Sequence, residues 1–153
     1  MLSNDLDAPA LCLPRYRDNV LCFNDDIQGT GAVAVAGILS SLAQQGKPAS
    51  SLTEQRFVVA GAGSAGLGVA NALYEAMVME GMSREEAAGQ FWVCDKDGVL
   101  QPGVEVLPDG VKFIRDDHTA GMNLLDVIKD AQPTALLGLS GALVLAFLNN
   151  CLF

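Results

Sequence analysis

The chain has 153 residues, half of them hydrophobic and 18% charged, which is typical of a globular domain and excludes a disordered chain. Its formal net charge of -9 argues against nucleic acid or an anionic membrane as a main partner, because both need clustered lysine and arginine. The four cysteines form no C-x-x-C pair and there is one histidine, so neither a zinc site nor a disulfide scaffold is expected.

The first part of the chain predicts a leader and then a helix. Residues 1–14 read as irregular, with neither the pattern of a secretory signal nor the basic composition of a transit peptide. With no targeting segment visible, we expect a cytoplasmic or mitochondrial protein. Small apolar residues run from Gln28 to about Leu42, which predicts a helix packed closely on several sides, and Gly46 and Pro48 end it.

The middle of the chain predicts a strand, a tight turn and a helix. Arg56–Ala60 is a β-type run, "GAGSAG" follows at once, and helical periodicity then continues as far as Gly81. A capping-box pattern beginning at Ser83 predicts a second, short helix. Phe91–Asp95 predicts the next strand, and "KDG" a turn.

The last third predicts a further helix and strand. "GVKFI" is interpreted as a short edge strand, "MNLLDVIKDA" as a helix ended by Pro133, and "TALLGL" as a third strand. Strands that alternate with helices predict an α/β fold, here a partial Rossmann-like, doubly wound parallel sheet. The apolar tail, residues 142–153, is too short to span a bilayer, so no membrane span is expected. It is either a buried final element or a segment without its packing partner.

The glycine-rich turn predicts dinucleotide binding. Gly61, Gly63 and Gly66 in turn allow a sharp turn, the approach of a pyrophosphate and close packing of helix on strand. Asp95 ends the next strand and can accept both ribose hydroxyls of an adenosine. Its carboxylate favours NAD over NADP because it would repel a 2′-phosphate, although Lys96 or Lys112 could offset that repulsion. The alternative is a glycine turn kept only for packing.

Four segments carry a family resemblance. "FNDDIQGTGAVAVAGIL" resembles the signature of malic enzymes, and "LTEQRFVVAGAGSAGLGVA", "FWVCDKDGVL" and "LLDVIKDAQPTALLGLSG" follow in the expected order. The likeness covers about residues 15–141, which we interpret as a malic-enzyme-like NAD-binding region. It implies NAD-dependent oxidative decarboxylation of malate to pyruvate and CO2, in an enzyme that forms homo-oligomers.

The resemblance also implies roles for particular residues. Asp26 matches the aspartate that binds Mg²⁺ or Mn²⁺, and Asp25 matches its catalytic neighbour, which assists a lysine in proton transfer. Hard divalent cations prefer such carboxylate oxygens. Without the surrounding segment, the two acids would be interpreted as a helix N-cap. The positions assigned to the cofactor are Thr30, Gly61, Gly63, Ser64, Ala65, Gly66 and Asp95.

The chain also departs from the family pattern. The Glu-Asp pair that completes the family's metal site falls on Leu2 and Ser3, and the catalytic tyrosine and lysine belong to an upstream domain. We therefore expect an incomplete metal site and a fragment that is inactive alone. The alternative is a non-catalytic dinucleotide-binding module, or a truncated isoform that pairs with full-length subunits. An incomplete gene model, a splice form and a short paralogue are all compatible with such a fragment. The apolar tail predicts that the isolated chain self-associates.

Overall fold

A computed structural model describes residue 16 and residues 18–140. The predicted leader and the predicted apolar tail lie outside these described residues. The helices and strands, numbered in chain order, are α1 (Thr30–Gln44), β1 (Phe57–Ala60), α2 (Ser64–Met79), α3 (Arg84–Gly89), β2 (Phe91–Asp95), β3 (Gly98–Val99), α4 (Leu124–Ala131) and β4 (Ala135–Gly138). A π-helical turn (Asp25–Gly29) leads into α1, and two 3-10 helices span Ala49–Glu54 and Pro108–Phe113.

The four strands form one sheet in the order β3-β2-β1-β4. The strands β1, β2 and β4 run parallel, with Ala60 level with Cys94 of β2 and Gly138 of β4. The predicted parallel α/β sheet is therefore confirmed. All three parallel strands end at one edge of the sheet, and the segments that follow them meet there.

The sheet is covered on both faces, which explains the alternation along its strands. Phe57 and Phe91 point to one face, stack with ring centroids 5.1 Å apart, and pack with Phe113 and the buried side of α2. Val58 and Trp92 point to the opposite face and pack against α4. Successive strand residues serve opposite cores, as expected for a doubly wound sheet.

The prediction of a closely packed first helix is wrong for most of its surface. Only Gly31 and Leu42 of α1 are buried, and Val33 is 73% exposed. The π-helical turn and α1 together form a 20-residue helix, the one helix among the described residues that is long and apolar enough to cross a bilayer. Core helices of soluble proteins meet the same criteria of length and composition. The absence of a membrane span therefore stays a prediction.

The segment between β2 and α4 also differs from the prediction. "GVKFI" lies mainly in the 3-10 helix Pro108–Phe113 instead of an edge strand, because Phe113 is drawn into the core beside Phe91. The edge strand is β3, which returns antiparallel to β2 directly after the predicted turn. Its other side is bonded to the chain before α4: the Val99 N–H donates to the Met122 carbonyl at 2.9 Å.

Arg115 fastens this irregular segment to the sheet. Its guanidinium lies 4.3 Å from the ring centroid of Trp92 and donates to the carbonyls of Gly89 and Phe91 at 3.0 and 3.1 Å. The Nε atom donates to Asp117 at 3.0 Å. Hydrogen bonds from Arg115 hold the pKa of the Asp117 carboxyl well below its usual range.

Candidate dinucleotide and carboxylate site

The glycine-rich loop is bonded into the carboxyl edge of the sheet. The Gly61 N–H donates to the Cys94 carbonyl of β2 at 2.9 Å, and the Leu139 N–H donates to the Ala60 carbonyl at 2.9 Å. The loop therefore lies between the ends of β2 and β4. Asp95 directly follows Cys94 and is exposed at the same edge. The geometry brings the predicted phosphate loop and the predicted ribose acid together.

The three glycines of the loop are explained in different ways. Gly61 has a φ of 124°, which L side chains rarely adopt, and a Cβ there would lie 2.7 Å from the Leu139 carbonyl oxygen. A Cβ on Gly66 would collide with the Gly61 carbonyl, whose carbon would be 2.9 Å away. A Cβ on Gly63 would meet no atom within 4 Å. Packing explains the first and third glycines, whereas the second faces open space where a pyrophosphate can approach.

The start of α2 suits a negatively charged ligand. Its N-cap residue, Gly63, has no side chain to bond the first-turn N–H groups, and the first turn contains no acid. Those N–H groups have no acceptor within the helix, and the helix dipole is positive at this end. Ser64 and Ala65 occupy this first turn, both of them half-buried. The described residues therefore fit the pyrophosphate of a dinucleotide.

The double-aspartate turn is built differently. Its N-cap is Asn24, whose side-chain oxygen accepts from the Ile27 N–H at 3.2 Å, while the Gln28 side chain accepts from the Asn24 N–H at 3.0 Å. Both aspartates are exposed, and neither carboxylate has a hydrogen bond to a described residue. The interpretation of these acids as the cap is therefore wrong, and both carboxylates are available to a ligand.

Two glycines bring the double-aspartate turn against the start of α2. A Cβ on Gly68 would lie 2.8 Å from the Ile27 Cα atom, and a Cβ on Gly31 would lie 2.8 Å from the Ala72 Cβ atom. The two helices can therefore cross at backbone distance. Neither glycine was predicted from the sequence, although Gly68 and Ala72, small residues one helical turn apart along α2, are a signal of such close packing.

A narrow cleft separates the two helix starts. Ile27 lies on one side and Ser64 on the other, with Asp109 of the 3-10 helix beside them. The sequence analysis did not single out Asp109. Thr30, which directly follows the double-aspartate turn, is half-buried, and its hydroxyl donates to the Asp25 backbone carbonyl at 3.3 Å. The predicted cofactor and metal residues thus come from two neighbouring helix starts and the end of β2.

The described residues do not complete a metal site. Across residue 16 and residues 18–140, no group of three or more histidine, cysteine, aspartate or glutamate side chains is placed to hold a metal ion. Asp25 and Asp26 alone supply a partial shell, whereas Mg²⁺ prefers six oxygens. Lys112 donates to the Asn71 side chain at 2.6 Å and lies over the Tyr74 ring. It is therefore engaged away from Asp95.

Comparison with known proteins connects this site to a family. A family model described as "Malic enzyme, NAD binding domain" matches residues 27–150. The chain is 42% identical over 139 residues to "NAD-dependent malic enzyme 1" of Vibrio vulnificus (strain YJ016), covering 85% of this chain and 24% of that protein.

Relatives from other kingdoms match equally well. The chain is 42% identical over 132 residues to "NADP-dependent malic enzyme" of Dictyostelium discoideum, covering 84% of this chain and 24% of that protein. It is 42% identical over 137 residues to "NAD-dependent malic enzyme 2, mitochondrial" of Arabidopsis thaliana, covering 84% of this chain and 22% of that protein. The chain spans about a quarter of the length of these relatives. By its sheet, its glycine loop and this match, it belongs to the malic enzyme NAD-binding domain family.

Proposed function

We propose that this chain binds NAD at the edge formed by the glycine loop and Asp95. The observation that supports this most strongly is the open space above Gly63, because no atom of the described protein requires a glycine there. The uncapped, acid-free start of α2 would hold the pyrophosphate. The exposed carboxylate of Asp95 would accept the ribose hydroxyls and disfavour a 2′-phosphate.

The larger proposal is that the chain is part of an enzyme that oxidises and decarboxylates malate to pyruvate and CO2. Bound NAD would supply the hydride acceptor for the oxidation. The names of the relatives support this reaction, as does the double-aspartate turn beside the dinucleotide loop. Within that enzyme, Asp25 would assist proton transfer and Asp26 would offer a carboxylate to Mg²⁺ or Mn²⁺. Two carboxylates do not complete the shell of six oxygens that Mg²⁺ prefers.

A second candidate is a dinucleotide-binding module without catalysis. The absence of a third metal ligand near Asp25 and Asp26 among the described residues favours it for this polypeptide acting alone. Proton donors, acceptors and a metal act as a unit, so losing members of that unit is costly. We therefore expect no malate-dependent NADH formation at 340 nm from the isolated chain with Mn²⁺. A steady rate that Asp25→Asn abolishes would contradict this.

Assembly and compartment stay predictions. β4 is the last strand of the sheet among the described residues, so self-association, either as a homo-oligomer or through the apolar tail, is proposed. Light scattering on the full chain and on a version ending at residue 141 would distinguish the two routes. The compartment, cytoplasm or mitochondrion, is equally open, since the name of the Arabidopsis relative includes "mitochondrial" and the Vibrio name does not.

Calorimetry with NAD on the full chain tests the binding proposal. The variant Gly63→Ala adds one methyl group in open space, so the fold should be intact, while NAD affinity should fall at least tenfold, or about 1.4 kcal/mol. Gly89→Ala is the matched control, because its added Cβ also meets no atom within 4 Å but lies outside the loop. Equal NAD affinity in wild type and Gly63→Ala would refute the site.

The residue Asp95 is tested separately with two ligands. Asp95→Ala should weaken NAD binding several-fold and narrow the preference for NAD over NADP, because both the ribose acceptor and the repulsive charge are lost. An unchanged ratio of NAD to NADP affinity would remove Asp95 from the ribose role.

A further inference from the structure

A glycine in the double-aspartate turn has no backbone reason to be glycine. Gly29 has helical dihedral angles, with φ of -68° and ψ of -50°, which every L residue adopts. Alanine is the better helix former at such a position. A second helical glycine, Gly37, lies further along the same helix, and a Cβ there would meet no atom within 4 Å. The two glycines therefore form a natural pair for comparison.

What occupies the space at Gly29 is the carboxylate of Asp25. A Cβ on Gly29 would overlap the Asp25 Oδ1 atom and would lie 3.0 Å from its Cγ atom. The ring of Phe23 is the next neighbour, at 3.7 Å. The side chain of Asp25 is thus the group that glycine at position 29 accommodates.

The shape of the turn explains why these two residues meet. Each Cα–Cβ bond in a helix tilts toward the N terminus, so a Cβ at position 29 points back at residue 25. The Thr30 N–H donates to the Asp25 carbonyl, which is the i to i+5 pattern of a π-helical turn. Such wide turns occur mostly as single turns within α-helices and are frequent at functional sites. The Asp25 carboxylate has no hydrogen bond to a described residue, so steric space is what the structure provides to orient it.

We propose that Gly29 is a positioning residue, which leaves the space that the Asp25 carboxylate needs for its orientation beside Asp26. The inference rests on the proposed role of Asp25. A methyl group at position 29 would overlap the Asp25 Oδ1 atom, so it forces the carboxylate into another χ1 rotamer. Because the end of a flexible side chain yields easily, the fold survives the change while the orientation of the Asp25 carboxylate is lost.

Side-chain NMR on the isotopically labelled full chain tests this with Gly29→Ala and Gly37→Ala. In the wild type, three-bond couplings should report one dominant χ1 rotamer of Asp25, with a cross-peak from its Hβ protons to the Gly29 Hα protons. Gly29→Ala should change the rotamer, and Gly37→Ala should leave it as in the wild type. An unchanged Asp25 rotamer in Gly29→Ala would overturn the inference.

Titration with Mn²⁺ alone separates this inference from the metal proposal. If the proposed site is correct, Mn²⁺ should broaden the signals of both aspartates in the wild type, and in Gly29→Ala the broadening at Asp25 should fall at least threefold relative to Asp26. A wild-type chain without broadening at Asp26 would refute the metal proposal. The rotamer measurement would still decide the role of Gly29.

A double variant covers the case in which Gly29→Ala does not fold. With Asp25 shortened to alanine, the next neighbour of a Cβ at position 29 is the Phe23 ring at 3.7 Å, an ordinary contact, so Asp25→Ala/Gly29→Ala should melt no lower than Asp25→Ala. If instead it loses as much in Tm against Asp25→Ala as Gly29→Ala loses against the wild type, another group limits position 29 and the inference fails.

Discussion

The start of α2 and the double-aspartate turn lie side by side but carry opposite chemistry. The start of α2 has no capping side chain and no acid in its first turn, and its loop is bonded to β2 through the Gly61 N–H. The double-aspartate turn is capped by Asn24 and has two acids in its first turn, both of them exposed. One helix start is therefore suited to an anion and the other to a cation. Packing requires two of the three loop glycines, Gly61 and Gly66, whereas neither aspartate carboxylate has a hydrogen bond to a described residue.

The largest effect should come from the glycine that packing requires. Gly66→Ala should lower the free energy of unfolding by about 3 kcal/mol, at the upper end for overpacking, because the atoms in the way belong to the Gly61 backbone. Urea denaturation measures this. Gly63→Ala, with its Cβ in open space, should stay within about 0.5 kcal/mol of the wild type. Equal stability of the two variants would contradict the interpretation that packing requires Gly66 but not Gly63.

A smaller effect should come from the cap of the double-aspartate turn. Asn24→Ala removes the acceptor of the Ile27 N–H and should cost about 1 kcal/mol of unfolding free energy. Asn24→Ser keeps a capping oxygen and should restore most of the loss, which thermal unfolding can measure. NAD affinity should not change in either variant, since the dinucleotide loop lies on the other helix. A loss of NAD binding would mean that the two helix starts act as one unit.

The smallest effect is expected at Asp117, whose carboxylate stabilises the fold, unlike those of Asp25 and Asp26, which have no hydrogen bond to a described residue. Because the pKa of Asp117 is lowered by hydrogen bonds from Arg115, its contribution to stability is present above about pH 4, near the unfolded value, and is lost as the pH falls below it. Asp117→Asn should therefore be less stable than the wild type at pH 7. The gap should narrow between about pH 4 and pH 2 in urea titrations. A gap that is constant with pH would mean that its cause is packing and not charge.

The exposed helix α1 illustrates the limits of reading a helix from composition. Its small apolar residues predict burial on several sides, yet only the side with Gly31 and Leu42 is buried in the described structure. Composition reports how much apolar surface a helix has, but it does not say which side of the helix packs against the rest of the protein. The 3-10 helix Pro108–Phe113 is a second example. Its sequence has a β-type pattern, but Phe113 is buried in the core and the segment forms a 3-10 helix.

Local sequence by itself determined the three parallel strands, the capping box and the glycine loop. Strand β2 has the predicted bounds, and the Ser83 and Glu86 side chains make both bonds of the predicted box. These features depend on residues close in the chain, where short-range sterics and hydrogen bonding decide the conformation. The glycine loop follows β1 and Asp95 ends β2, and the two lie at the same edge of the sheet because parallel strands end together.

Only the tertiary structure decided how the double-aspartate turn meets that edge. The approach of Ile27 to Gly68 joins parts of the chain that are far apart in sequence, and no local pattern specifies that crossing. The proposed role of Gly29 depends on a carboxylate only four residues earlier, and the backbone angles of Gly29 by themselves do not reveal it. Residue types report what chemistry is available. Distances between side chains decide which of those groups can act together.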